Sequence, residues 1–68
     1  MTEMKIRYDS EGDVLYVQFS DVQIDGSEEI RPGVILDYDE QGRIVGIEVL
    51  DARKQMAPGA LIGQQAAE

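Results

Sequence analysis

Apolar and polar residues alternate along most of the chain with a period of two, the repeat of a β-strand whose faces differ. "MKIRYD" sets Met4, Ile6 and Tyr8 in step, and "VLYVQFS" (14–20) is rich in β-branched and aromatic residues. "VILDYD" (34–39) and "RIVGIEVL" (43–50) have the same character. Between them "DVQIDGSEEIRPG" holds one short run around Ile30, broken by Gly26 and by Pro32-Gly33. Pro32 cannot donate to a ladder, so a weak edge strand fits there. The pattern predicts strands near 4–9, 14–20, 28–31, 34–39 and 43–50. Asp51 is a suitable N-cap for "ARKQMA", Arg53 and Lys54 follow, and Pro58-Gly59 ends the turn, which predicts a helix near 52–57. "ALIGQQAAE" either restarts as a short helix carrying Leu61 and Ile62 or frays, so the tail 58–68 is helical or disordered. The expected fold is one small α+β domain, mostly β. It is an antiparallel meander sheet of four to five strands with a short C-terminal helix.

Two stretches match at a spacing of 30 residues, "YDSEGDVLYV" from Tyr8 and "YDEQGRIVGI" from Tyr38. Two copies are too few for a solenoid array, so they read as two similar hairpins in one sheet. Asp9 and Asp39 stand where a type I turn favours Asp, and Gly12 and Gly42 stand at its fourth position. A three-residue loop closed by a left-handed glycine in a G1 bulge fits both copies. That register pairs Tyr8 with Val14, Ile6 with Tyr16, Tyr38 with Ile44 and Leu36 with Gly46, all on one face. Leu15, Val17, Phe19, Ile35, Val45, Ile47 and Val49 then form the other. Both faces come out apolar and need two covers. The C-terminal segment supplies one. A second copy of the chain supplies the other, with Tyr16, Ile35, Ile44 and Ile47 as interface candidates.

Composition narrows the function classes. The chain has 68 residues, no Cys and no His, so disulfides, thiolate or imidazole zinc sites and thiol or imidazole catalysis are excluded. Chains this short usually need a staple, and oligomerisation is the remaining one. The net charge of −8 repels phosphate backbones and anionic lipid, so direct nucleic-acid binding is not expected, whereas a basic protein partner suits it. No apolar run approaches a membrane span and "MTEMKIRYDS" lacks the apolar core of a signal peptide, which leaves cytoplasmic residence as the default.

"DYDEQGRIVGIE" can be laid over a helix-flanked calcium loop, with Asp37, Asp39 and Gln41 at positions one, three and five, Gly42 at the sharp turn and Glu48 closing. The first copy argues against it, because Arg7 and Gln18 replace Asp37 and Glu48 while the turn residues stay. The flanks are β-periodic, and the bulged register pairs Asp37 with Val45 and Glu48 with Val34, on opposite faces. Asp37 reads as a solvated edge carboxylate or a partner of Arg31, Arg43 or Arg53. A ligand or cation contact using Asp37, Asp39 and Glu48 is the alternative. Catalysis has little support. Tyr8, Tyr16 and Tyr38 lie on strands, the serines of the turns lack a histidine, and no phosphate-binding glycine loop with its lysine is present. No cofactor is expected.

The order of "YD…LY", "PGV…LD" and "VGIEVLDA" over Met4 to Lys54 resembles the YuzE-like domain of unknown function, DUF2283, a family of small prokaryotic proteins. Gly12 stands where relatives carry Ala. The resemblance implies a small β-rich domain with C-terminal helical structure and carries no catalytic residues. It also implies an antitoxin-like role, since relatives are encoded beside small toxin-like proteins. The resulting expectation is a non-enzymatic interaction domain, homodimeric, able to neutralise a basic partner.

Overall fold

The computed structural model describes residues 4–59. The five strands are β1 (Lys5–Asp9), β2 (Val14–Gln18), β3 (Gly26–Arg31), β4 (Val34–Tyr38) and β5 (Ile44–Leu50), followed by the single-turn helix α1 (Ala52–Gln55). All pairings are antiparallel, in the order β1-β2-β5-β4-β3. The meander holds from β3 to β5. The connection 19–25 carries the chain from β2 to the far edge, leaving β5 at the centre. The helix is shorter than 52–57 because Met56 is already extended (φ −94°, ψ 153°). The expectation for Leu61 and Ile62 falls outside the described residues.

The internal repeat is folded as a pair of hairpins. Val17 faces Ile47 across β2 and β5, and these are equivalent positions 30 residues apart, so a local two-fold axis passes between them. The two hairpins share one register, with Ile6 opposite Val17 and Leu36 opposite Ile47. They reach it by different routes. The second turn is as expected: Gly42 (φ 79°) donates to the Asp39 carbonyl at 3.0 Å, and Asp39 N–H donates to the Arg43 carbonyl at 2.9 Å. An extra residue then enters β5, because Tyr38 pairs with Ile44 but Asp37 pairs with Gly46, and Val45 bulges. The first hairpin absorbs its extra residue in the loop. Asp9 pairs with Val14, and the left-handed residue is Asp13 (φ 58°) rather than Gly12.

These two details correct the expected faces, since a slip of one residue moves every side chain to the other side. Ile6, Tyr8, Leu15, Val17, Val34, Leu36, Ile47 and Val49 share the helix-covered face, where Tyr8 is opposite Leu15 rather than Val14. Leu15, Val49 and Ala52 are buried there, with Val17, Val34, Ile47 and Met56 against them. The opposite face is largely polar. Among the described residues the sheet therefore has only one strongly apolar face. Among the interface candidates, Ile44 and Ile47 belong to the helix side, and Tyr16 and Ile35 to the other.

Helix α1 is docked by a residue the sequence pattern did not single out. Asp51 adopts a left-handed conformation (φ 51°) and its side chain caps nothing. Asp13 does the capping: its carboxylate accepts the Arg53 N–H at 3.2 and 3.3 Å, and its carbonyl accepts the Ala52 N–H at 2.9 Å. The Tyr8 hydroxyl donates to the same carboxylate at 2.6 Å. At the other end of the helix, Gln55 donates to the Pro32 carbonyl at 2.8 Å and ties down the β3–β4 turn.

Candidate functional site

The polar face is built from two rows of laterally paired residues. One runs Arg7, Tyr16, Glu48, Ile35, and the next runs Lys5, Gln18, Gly46, Asp37, Ser27. In the repeat, Arg7 is the counterpart of Asp37, Tyr16 of Gly46 and Gln18 of Glu48. Three positions at which the two copies differ in chemistry thus gather at the centre of this face. Three pairs that stay apolar or aromatic (Ile6 and Leu36, Tyr8 and Tyr38, Val17 and Ile47) lie on the helix side.

Tyr16 lies across the strand at Gly46. A Cβ at Gly46 would come within 2.7 Å of the Tyr16 hydroxyl and 2.9 Å of the Val17 carbonyl oxygen, so only glycine admits this arrangement. The Arg7 guanidinium sits 5.5 Å above the Tyr16 ring. Burial raises the Tyr16 pKa, and the charges of Asp37 and Glu48 push it further the same way. The Arg7 charge opposes them, and the Asp37 side chain adds a small polar contribution without forming a hydrogen bond of ordinary geometry to the hydroxyl.

Asp37 is only 2 % exposed, so the solvated-edge reading fails. No arginine pairs with it. Ser27 donates to Oδ1 at 2.6 Å, and Oδ2 is buried with no hydrogen-bond partner among the described residues. Val22 and Ile24 of the 19–25 connection, with Val45 at the bulge, flank Asp37, Glu48, Tyr16 and Arg7 around an open concavity of about 460 Å³. The bulge at Val45 puts Asp37 opposite Gly46, and Glu48 lies two residues further along the same strand and face. The expectation that Asp37 and Glu48 lie on opposite faces is thereby corrected.

Asp39 belongs to a different structure, the second turn. Its Oδ1 accepts the N–H groups of Gln41 (2.9 Å) and Arg43 (2.8 Å), and its Oδ2 accepts Arg43 Nε at 2.9 Å. Asp9 makes one such bond, from Glu11 N–H at 3.1 Å. Asp37, Asp39 and Glu48 do not converge, and no group of three acidic side chains placed to hold a metal occurs among the described residues. The flanks of the former calcium-loop reading are strands.

Hydrogen bonding from the Arg43 backbone, then its side chain and the Gln41 N–H, outweighs burial and lowers the Asp39 pKa. A carboxylate whose pKa is depressed by folding stabilises the fold above its unfolded value, about 3.9, and that stabilisation is lost as pH falls through the folded value. Urea unfolding at pH 6 and pH 3 is expected to show a smaller acid loss for Asp39→Asn than for the wild type. Equal losses would remove Asp39 from the acid response.

No helix among the described residues is long and apolar enough to cross a membrane. Comparison with curated proteins and with solved structures finds no match. The profile of one family, described as a protein of unknown function (DUF2283), matches residues 5–53, which span all five strands and the start of α1. With most of its length matched, the chain belongs to the DUF2283 family.

Proposed function

We propose that the chain is a non-enzymatic interaction domain that pairs with a second copy of itself through the end of its apolar face beyond α1. The observation that carries this reading is the state of that face. Ile6 and Ile44 are each 49 % exposed, beside the partly buried Leu36 and Ile47. Among the described residues the buried apolar set is only Leu15, Val45, Val49 and Ala52, a small core for an independent domain. A second copy seated over Ile6, Ile44 and Leu36 would enlarge it.

The charge of −8 gives this pairing a signature. Two copies repel one another, so added salt strengthens self-association, whereas binding to a basic protein weakens with salt. Neutralisation of a basic, toxin-like partner fits the acidic surface and remains the second part of the proposal, together with cytoplasmic residence. Direct nucleic-acid or membrane binding does not fit such a surface. The absence of His and Cys favours a binding role over catalysis. If association supports folding, the melting temperature rises with protein concentration. A melting temperature that stays constant over a hundredfold concentration range would argue for a self-sufficient monomer.

A further inference from the structure

We infer that the concavity over Asp37 is a binding site for a guanidinium group, with Asp37 and Glu48 as its acceptors and Tyr16 as its stacking platform. This inference is independent of self-association, which uses the opposite face.

The starting point is the unpartnered oxygen. A buried carboxylate oxygen without a donor has given up its hydration with nothing in return, and a fold this small has little stability to spare. Ser27 satisfies Oδ1 alone, and no arginine or lysine reaches Oδ2 among the described residues. The missing group is an N–H or O–H donor arriving from the concavity that Asp37 floors.

The surroundings select its chemistry. Glu48 adds a second carboxylate against the single cation of Arg7, so the lining keeps a net negative charge that favours a cation over an anion. Metal ions are poorly served, because three acidic ligands do not converge among the described residues. A planar cation with several N–H donors can serve two carboxylates at once and stack on an aromatic ring. The Arg7 guanidinium, 5.5 Å from the Tyr16 ring centroid, shows that a guanidinium fits over this ring, and an arriving one takes that place as the exposed Arg7 side chain swings into solvent. Val22 and Ile24, 49 % and 43 % exposed, form an apolar wall suited to the alkyl stem that carries such a group. Oδ2 is buried and the Tyr16 hydroxyl lies over the neighbouring Gly46, so the Tyr16 ring, which lines the concavity, reports its occupancy.

The test is a titration of the full chain with ethylguanidinium, ethylammonium and a blocked Gly-Arg-Gly peptide, followed by NMR at 0.15 M salt. At that salt, diffuse attraction to a charge of −8 is largely screened. The expected result is a saturable shift of the Tyr16 ring and of the Ser27 and Gly46 amides, with ethylguanidinium binding at least fivefold tighter than ethylammonium. Asp37→Asn is expected to weaken it tenfold or more, and Glu48→Gln, an isosteric change at a half-buried strand position, by threefold or more. Glu11→Gln, in the first turn, leaves it unchanged. A peptide that binds tenfold tighter than ethylguanidinium assigns the site to an arginine side chain of a partner protein. Equal affinities assign it to a free small cation. Non-saturating shifts spread over all carboxylates, or equal affinity in wild type and both site variants, would overturn the inference.

Discussion

Gly46→Val is expected to cost about 3 kcal/mol, the upper end of what overpacking a folded interior does. The added Cβ would meet the Tyr16 hydroxyl at 2.7 Å, which a side-chain rotation relieves, and the Val17 carbonyl oxygen at 2.9 Å, which it does not. That carbonyl belongs to β2, the interior strand beside β5, so relief requires the two hairpins to part along the β2–β5 seam. The β-branched side chain adds two methyl groups in the same place. Urea unfolding is the measurement: the midpoint should fall with an unchanged slope. For a domain of this size the melting temperature should drop by on the order of 10–20 °C. Gly46→Val within 0.5 kcal/mol of wild type would mean that Tyr16 and β2 are not held against Gly46.

Asp13→Ala is the second large effect. Three contributions vanish together: tolerance of the left-handed backbone (φ 58°), the acceptor for the Arg53 N–H and the acceptor for the Tyr8 hydroxyl. Alanine in a left-handed conformation costs about 1–2 kcal/mol and a lost cap about 1 kcal/mol, giving a loss of about 2–3 kcal/mol. Asp13→Asn keeps the backbone tolerance and an acceptor oxygen, so its loss should stay below about 1 kcal/mol. The pair of variants separates the capping role from a generic charge effect. Equal losses for Asn and Ala would assign the effect to charge. Gly12→Ala offers a contrast, because Gly12 has no positive φ, and its added Cβ would crowd the Asp9 carboxylate at 2.9 Å, a side chain that can turn away, while meeting Val14 Cγ2 at an ordinary 3.7 Å.

The elements were legible in the sequence because each rests on local chemistry. Alternation and β-branched content placed four strands, the short run around Ile30 marked part of the fifth, Pro32-Gly33 marked the turn before β4, and the Asp39–Gly42 turn formed as its residues dictate. The 30-residue repeat carried more than it first showed, for it specifies a two-fold pair of hairpins with a common register. The faces were not legible, and the reason is a single residue in each hairpin. Asp13 takes the left-handed position that Gly12 was expected to fill, and Val45 bulges after an otherwise regular turn. Neither choice has a strong local signal, since the adjacent Gly12 tolerates a left-handed backbone better than Asp13 does and a Val can pair or bulge. Because sheets have a period of two, each of those residues reversed half of the side chains. Asp37 and Glu48 consequently moved onto one face, and a turn carboxylate, Asp13, became the anchor of the helix. One signal did point to the site. The two copies diverge at Arg7/Asp37, Tyr16/Gly46 and Gln18/Glu48, and a glycine replacing an aromatic in a strand marks a place where something lies close against the backbone.

The apolar face remains the part of the molecule that bears most directly on function. Its rows continue beyond the reach of α1 to Ile6 and Ile44, and an interaction domain is the reading that gives those residues a purpose. Sedimentation equilibrium on the wild type and on Ile44→Glu decides it. The account predicts a wild-type mass of about twice 7.6 kDa at micromolar concentration, association that tightens between 0.05 and 0.5 M salt, and a folded monomer for Ile44→Glu. A wild type that sediments as a folded monomer at every concentration and salt would contradict it.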